Sequence, residues 1–219
     1  MSIQENLHEI KSQLPENVTL VAVSKTKPVS DLMEAYNAGQ RIFGENKIQE
    51  MTDKWQEMPK DIQWHMIGHV QTNKVKFMAE YVSLIHGVDS LKLLEEINKQ
   101  AKKHNRIIDC LLQMHIAEEE TKFGLDENEL DEIFELLKQV EHKNIKIVGL
   151  MGMATFTDNQ NLIKKEFQNL KALFDKVSQL KTANCQLNTL SMGMSGDYKL
   201  AIECGSTMVR IGSSIFGSR

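Results

Sequence analysis

The sequence has no run of about 18 apolar residues, the length at which a membrane-spanning helix becomes a candidate. Its first residues, MSIQENLHEIKSQL, are polar and mixed in charge, without the basic-then-apolar order of a secretory leader. Charge of one sign is scarce too. Lys+Arg number 26 against 30 Asp+Glu, and the net charge of −4 argues against a protein built to coat nucleic acid or an anionic membrane. The three cysteines, Cys110, Cys185 and Cys204, form no CxxC pair and no zinc spacing. Cys110 lies within the apolar run IIDCLLQM, and buried structural thiols are expected. The 7 histidines make no HExxH or similar pattern, so no metal is expected. A cytoplasmic protein is expected, with no nucleic-acid or membrane partner.

What is present is alternation. Short apolar runs suited to strands are expected at 18–24, 41–43, 62–67, 81–86, 107–115, 145–151, 186–190 and 207–211, separated by amphipathic helical stretches. Ile163, Phe167, Leu170, Phe174 and Val177 fall on one helix face, and Ser90 stands where it can cap another helix. Pro28 opens a helix that Gly39 stops. Strands alternating with helices imply parallel strands joined by crossovers. Eight of them in 219 residues fit a single (β/α)8 TIM-type barrel with an extra N-terminal helix over Ile3 to Leu14. The other arrangement, an open doubly wound sheet, wants a Gly-rich turn after the first strand, and Ser24-Lys25-Thr26-Lys27-Pro28 is not one. With no linker and no low-complexity tract, residues 1–219 read as one domain.

In such a barrel the site forms at the C-terminal ends of the strands. The first strand ends in Lys25, on the same side as Val21 and Val23. A lysine among apolar walls loses hydration of its charged form, and a neutral amine can attack an aldehyde to make a Schiff base. A solvated strand-end lysine is the alternative. The second strand ends in FGEN, placing Glu45 or Asn46 at its tip with the other free to cap the next helix. His65 of WHMIGH is either a satisfied core histidine or a group facing the mouth. Gly149 and Gly152 weaken the sixth strand and suggest close backbone approach. After the seventh and eighth strands come LSMGMSGD and GSSIFG, small-residue loops opening helices, at the two places where these barrels repeatedly bind phosphate. Arg210, inside the apolar run MVRIG, needs a partner: either a structural ion pair with Glu203 or Asp109, or a pyridine ring nitrogen to which it donates. An amine on strand one, an anion pocket at loops seven and eight, and an arginine on strand eight together describe a site for pyridoxal 5′-phosphate.

The segments VAVSKTKP, FGENKIQEM, WHMIGHVQTNK and LSMGMSGDYKLAIECGSTMVRIGSSIFG, in this order, resemble the pyridoxal phosphate homeostasis protein family from about Val18 to the end. The resemblance implies an alanine-racemase-like barrel that holds pyridoxal phosphate on Lys25 as a Schiff base. It places Arg210 by the ring nitrogen, the phosphate near Ser195, Gly212 and Ser213, and Asn46 and His65 on the ring side. It also implies a part in vitamin B6 homeostasis without an established reaction. Two departures, Lys47 where the family often has an aromatic residue and the Gly152-Met153-Ala154-Thr155 segment, lie outside the lysine, arginine and phosphate motifs.

Racemisation needs acid/base groups on both faces of the substrate Cα. Related racemases take the second from a tyrosine on another domain, for which this chain leaves no room. Of Tyr36, Tyr81 and Tyr198, only Tyr198 lies near a mouth loop. An arginine at the ring nitrogen also makes the ring a poorer electron sink. The expectation is a monomeric binder that stores pyridoxal phosphate or delivers it to apo enzymes that use it. Two alternatives remain open: a weak racemase-type enzyme acting on amino acids, and a phosphometabolite enzyme that forms its Schiff base with a sugar aldehyde.

Overall fold

Along TLVAV the residue at the middle, Val21, points into a small apolar cluster with Leu84, Leu111, Val148, Met151 and Met208, while its neighbours Leu20 and Ala22 pack outward against the helices. This two-sided burial is what a barrel strand requires. In the computed structural model, which describes residues 2–118, 123–139, 142–179 and 185–217, eight parallel strands close into one barrel in chain order. They are β1 (Thr19–Val23), β2 (Ile42–Glu45), β3 (Gln63–Met66), β4 (Leu84–Val88), β5 (Ile108–Gln113), β6 (Ile145–Met151), β7 (Cys185–Met194) and β8 (Met208–Ile211). The TIM-type fold is as expected, and α1 (Ile3–Gln13), closed by a Ser2–Glu5 capping box, precedes the first strand.

The helices follow their local signals. α2 (Val29–Asn37) starts after Pro28 and stops at Gly39, whose φ of +88° suits glycine. α3 (Ile48–Glu57) follows β2, and α4 (Leu91–Lys103) is capped by the Ser90 hydroxyl. α5 (Glu127–Gln139), α6 (Gln160–Ser178), α7 (Tyr198–Glu203) and α8 (Ser213–Phe216) complete the ring, with a 3-10 turn over Thr72–Phe77 between β3 and β4. In α6, Ile163, Phe167, Leu170 and Val177 are buried and Phe174 packs at their edge. No helix among the described residues is long and apolar enough to cross a membrane. All three cysteines are buried and free, and burial pushes the Cys110 thiol up.

β6 has its expected bounds and the other strands depart from theirs, with β4, β2 and β7 the informative cases. β4 starts at Leu84 rather than near Tyr81, because Tyr81 stacks on Trp55 and its hydroxyl lies 2.9 Å from Thr52 Oγ1, tying that apolar stretch to α3. β2 extends through Gly44 and Glu45. A Cβ on Gly44 would stand 2.8 Å from Val21 Cγ1 across the barrel interior. β7 runs on to Met194, past the polar Ser191. Neither Glu45 nor Asn46 caps α3; Lys47 holds the cap position with no side-chain bond. Gly149 is a place of close approach: its Cβ would meet the Thr189 carbonyl oxygen at 1.7 Å.

Candidate functional site

β1 lies between β2 and β8, with Val21 opposite Arg210 and Val23 opposite Gly44. β1 ends at Val23, before the expected Lys25, and the turn that follows it sets Lys25 in the same cavity as the arginine of β8. Lys25, Asn46, Ser195, Arg210, Gly212 and Ser213 all line one cavity of about 410 Å³ at the mouth. Ile67, Met153, Met194 and Phe156 give it an apolar wall, and Phe156 is 95% exposed at the rim. These six residues, far apart in sequence, converge on this one cavity. Lys27 also lines the cavity, and its Nζ donates to the Phe216 carbonyl, 2.9 Å away.

The loops after β7 and β8 meet here. β7 carries an irregularity against β8 between Ser191 and Met194, with Gly193 at a φ of +98°. Bulges of this kind re-aim a strand end. The Gly212 amide donates to Ser195 Oγ at 3.2 Å, joining the two loops. Neither α7 nor α8 has a side-chain cap, so their first-turn amides are not satisfied by a local side chain.

Arg210 is buried, and the structural ion pair with Glu203 or Asp109 is not how it is held. Its NH1 donates to the Ser191 carbonyl at 2.9 Å and to Ser191 Oγ at 2.6 Å, and its NH2 donates to the Gly152 carbonyl at 3.1 Å. Removal from water lowers its pKa to about 10, still cationic at neutral pH.

His65 does not line the cavity. It is buried, with Nδ1 3.1 Å from His86 Nε2, and His86 Nδ1 is 3.2 Å from Ser191 Oγ. Arginine can only donate, so Ser191 accepts from Arg210, and a row running Arg210 to Ser191, Ser191 to His86 and His86 to His65 satisfies each contact. Sequence reasoning missed His86 and Ser191. The signal for His86 was a polar residue within an otherwise apolar strand; Ser191, in a strand that also carries Gln186, Asn188 and Thr189, gave none.

Burial keeps both imidazoles neutral, lowering the His65 pKa from 6.5 to about 3 and that of His86 well below its ordinary value. An unfolded chain would protonate both near 6.5, so it takes up protons that the folded chain refuses. The stability these two histidines contribute is constant above that pH and falls as pH drops below 6.5. The loss is about 1.4 kcal/mol per pH unit for each histidine. Urea midpoints measured from pH 7 to pH 5 are expected to fall accordingly, and His86→Asn to flatten the slope. An unchanged slope in that variant would assign the acid sensitivity to other groups.

Residues 1–219 match the family described as alanine racemase, N-terminal domain. The pyridoxal phosphate homeostasis protein of Vibrio alginolyticus is 40% identical over 233 residues, covering 100% of this chain and 98% of that one. The protein of the same name from Pasteurella multocida is 37% identical over 232 residues, with 100% and 98% covered. The structure of PipY from Synechococcus elongatus PCC7942, with PLP bound, superposes with a TM-score of 0.90 at 35% identity, covering 99% of this chain and 100% of that one. A barrel closed so that an amine just past β1 and an arginine on β8 share one cavity, and these full-length likenesses, agree: the chain belongs to the pyridoxal phosphate homeostasis protein family, on the alanine racemase N-terminal domain fold.

Proposed function

We propose that this protein binds pyridoxal 5′-phosphate in the β1–β8 cavity and holds it reversibly on Lys25 through a Schiff base, in the service of intracellular vitamin B6 homeostasis and without catalytic turnover. The observation that carries the reading is the convergence of Lys25, Arg210 and the two C-terminal loops on one cavity. The chemistry of the set fits the ligand. Lys25 would hold the ligand by its aldehyde, the amine replacing the carbonyl oxygen with loss of water. Arg210 has three N–H bonds accounted for by protein oxygens, out of five donors, so it retains donors for a ring nitrogen. Ser195, Ser213 and the backbone amides around Gly212 suit a phosphate. Asn46 and the apolar wall flank the ring; His65 contributes from behind, through His86, Ser191 and Arg210. The relatives' names and the ligand of PipY support the same assignment.

The case against turnover rests on the wall of the cavity. Among the described residues lining it, the titratable side chains are Lys25, Lys27 and Arg210. No histidine, tyrosine or carboxylate stands there to serve as a second acid or base. Held and released rather than consumed, the cofactor would pass to apo forms of enzymes that need it, from a monomeric, single-domain protein in the cytoplasm.

The test is to add pyridoxal phosphate to the purified protein, record the visible spectrum, reduce with borohydride and map the adduct by peptide mass. An imine band and a single adduct on Lys25 are expected. No band, or an adduct confined to another lysine, refutes the reading. Sustained formation of D-isomer or keto acid from single L-amino acids would replace the holding role by an enzymatic one.

A further inference from the structure

Behind Lys25, away from the cavity, lies a buried ionic cluster that the binding site does not use. Lys54 of α3 is 7% exposed at its side chain and Glu45 of β2 is 0% exposed, with Nζ 2.7 Å from Oε1. The same Nζ is 2.7 Å from Glu50 Oε1. Among the described residues Glu45 Oε2 has no hydrogen-bond partner, although it is buried. Burying such a pair is no economical route to stability, because apolar residues of similar volume generally do as well. Burial raises the Glu45 pKa, which marks the same cost.

The other ends of these bonds show what the cluster holds. The Ser24 hydroxyl donates to Glu45 Oε1 at 2.6 Å, and the Ser24 carbonyl accepts from Lys54 Nζ at 2.8 Å. The Thr26 amide donates to Glu50 Oε1 at 2.6 Å. Thr26 has a φ of +64°, in the left-handed region that a β-branched residue ordinarily avoids. The residues immediately before and after Lys25 are thus both fastened to one ionic cluster, and the second is held in a conformation it would not adopt unaided.

We propose that Glu45, Lys54 and Glu50 form a clamp that positions Lys25, fixing the peptide units on both sides of it so that its amine is presented to the cavity before any ligand arrives. They are positioning residues and touch no ligand. The inference rests on Lys25 being the covalent anchor. Preorganisation of this kind acts on attachment: a reacting amine displaced by about 1 Å loses rate steeply.

The experiment compares wild type, Glu50→Ala and Glu50→Gln. Glu50 is partly exposed in the first turn of α3, and both variants should fold. Three quantities are read: the rate at which the imine band appears on adding pyridoxal phosphate, amide hydrogen exchange at Thr26 without ligand, and the melting temperature. Glu50→Ala is expected to slow attachment at least about tenfold and to speed Thr26 exchange, with little change in melting. Glu50→Gln keeps an oxygen for the Thr26 amide and is expected to recover much of the rate, which a purely structural loss would not show. Lys54→Met should be slower than either, and if it does not fold the Glu50 pair decides. Wild-type attachment rates and Thr26 exchange in Glu50→Ala overturn the clamp while leaving the anchor intact. A wild type without an imine band overturns the anchor, and the clamp with it.

Discussion

Lys25→Ala is expected to abolish covalent capture of pyridoxal phosphate while leaving the fold intact. The side chain is half-buried at the cavity wall and fills no part of either apolar cluster. Truncating it should leave the melting temperature of the ligand-free protein within a degree or two, as for substitutions outside the core. Binding is another matter. Arg210 and the two C-terminal loops remain, so a weak non-covalent complex survives. Loss of the covalent link should raise the dissociation constant at least about a hundredfold, or about 2.7 kcal/mol. A ligand that binds only the folded state at a hundred times its dissociation constant stabilises it by about 2.7 kcal/mol, which for a chain of this size corresponds to a rise in melting temperature of roughly 5–10 °C. That ligand-dependent rise, measured by thermal denaturation with and without pyridoxal phosphate, should largely vanish in Lys25→Ala. Lys25→Arg should fail equally, because a guanidinium keeps its charge and makes no imine. A variant that retains the band would show that the amine comes from elsewhere, with Lys27 the first candidate because it lines the same cavity.

Arg210→Ala carries the largest expected effect on stability. One guanidinium supplies two bonds to Ser191 of β7 and one to the carbonyl of Gly152, just past β6. It therefore staples three neighbouring strands at the mouth. Removing it leaves two carbonyls and the serine hydroxyl short of a donor in a buried position, where each orphaned group costs about 1–3 kcal/mol. A total of about 3–5 kcal/mol is expected, with a fall in melting temperature of roughly 10 °C. Arg210→Lys keeps the charge but cannot reach Ser191 and Gly152 with one planar fork, and should fall between the two. Arg210→Glu would set a carboxylate against carbonyl oxygens and is expected to be worse than alanine. Equal urea midpoints for wild type and Arg210→Ala would mean that the mouth relaxes to satisfy these oxygens, and that Arg210 is held there for the ligand alone.

Much of this was readable because the relevant signals are local. The run from Ile145 to Met151 is apolar with no competing use, and its strand falls where expected. Ser90, Pro28 and Gly39 act on the backbone within one turn, so their helix ends were legible too. Of the six cavity residues, Lys25 and Arg210 stood out as charges at or within apolar strands, the two C-terminal loops by their small-residue composition, and Asn46, Ser195, Gly212 and Ser213 through the family resemblance. What the sequence hid depends on partners distant along the chain. Tyr81 reads as strand until Trp55 is known to stack on it. Glu45 reads as a tip or a cap until Lys54 and Ser24 are seen to close around it. His65 reads as either a core histidine or a mouth residue until His86 and Ser191, themselves inconspicuous, take up its ring and link it to the guanidinium.

The pairing of Val21 with Arg210 across the β1–β8 seam has a consequence for biosynthesis. The amine is among the first parts of the barrel to leave the ribosome and the arginine among the last. No ligand can be gripped by both until the final strand has docked against the first. Capture of a ligand held by both would therefore report a finished fold, and a nascent chain paused before Arg210 would lack the arginine and the loop after β8.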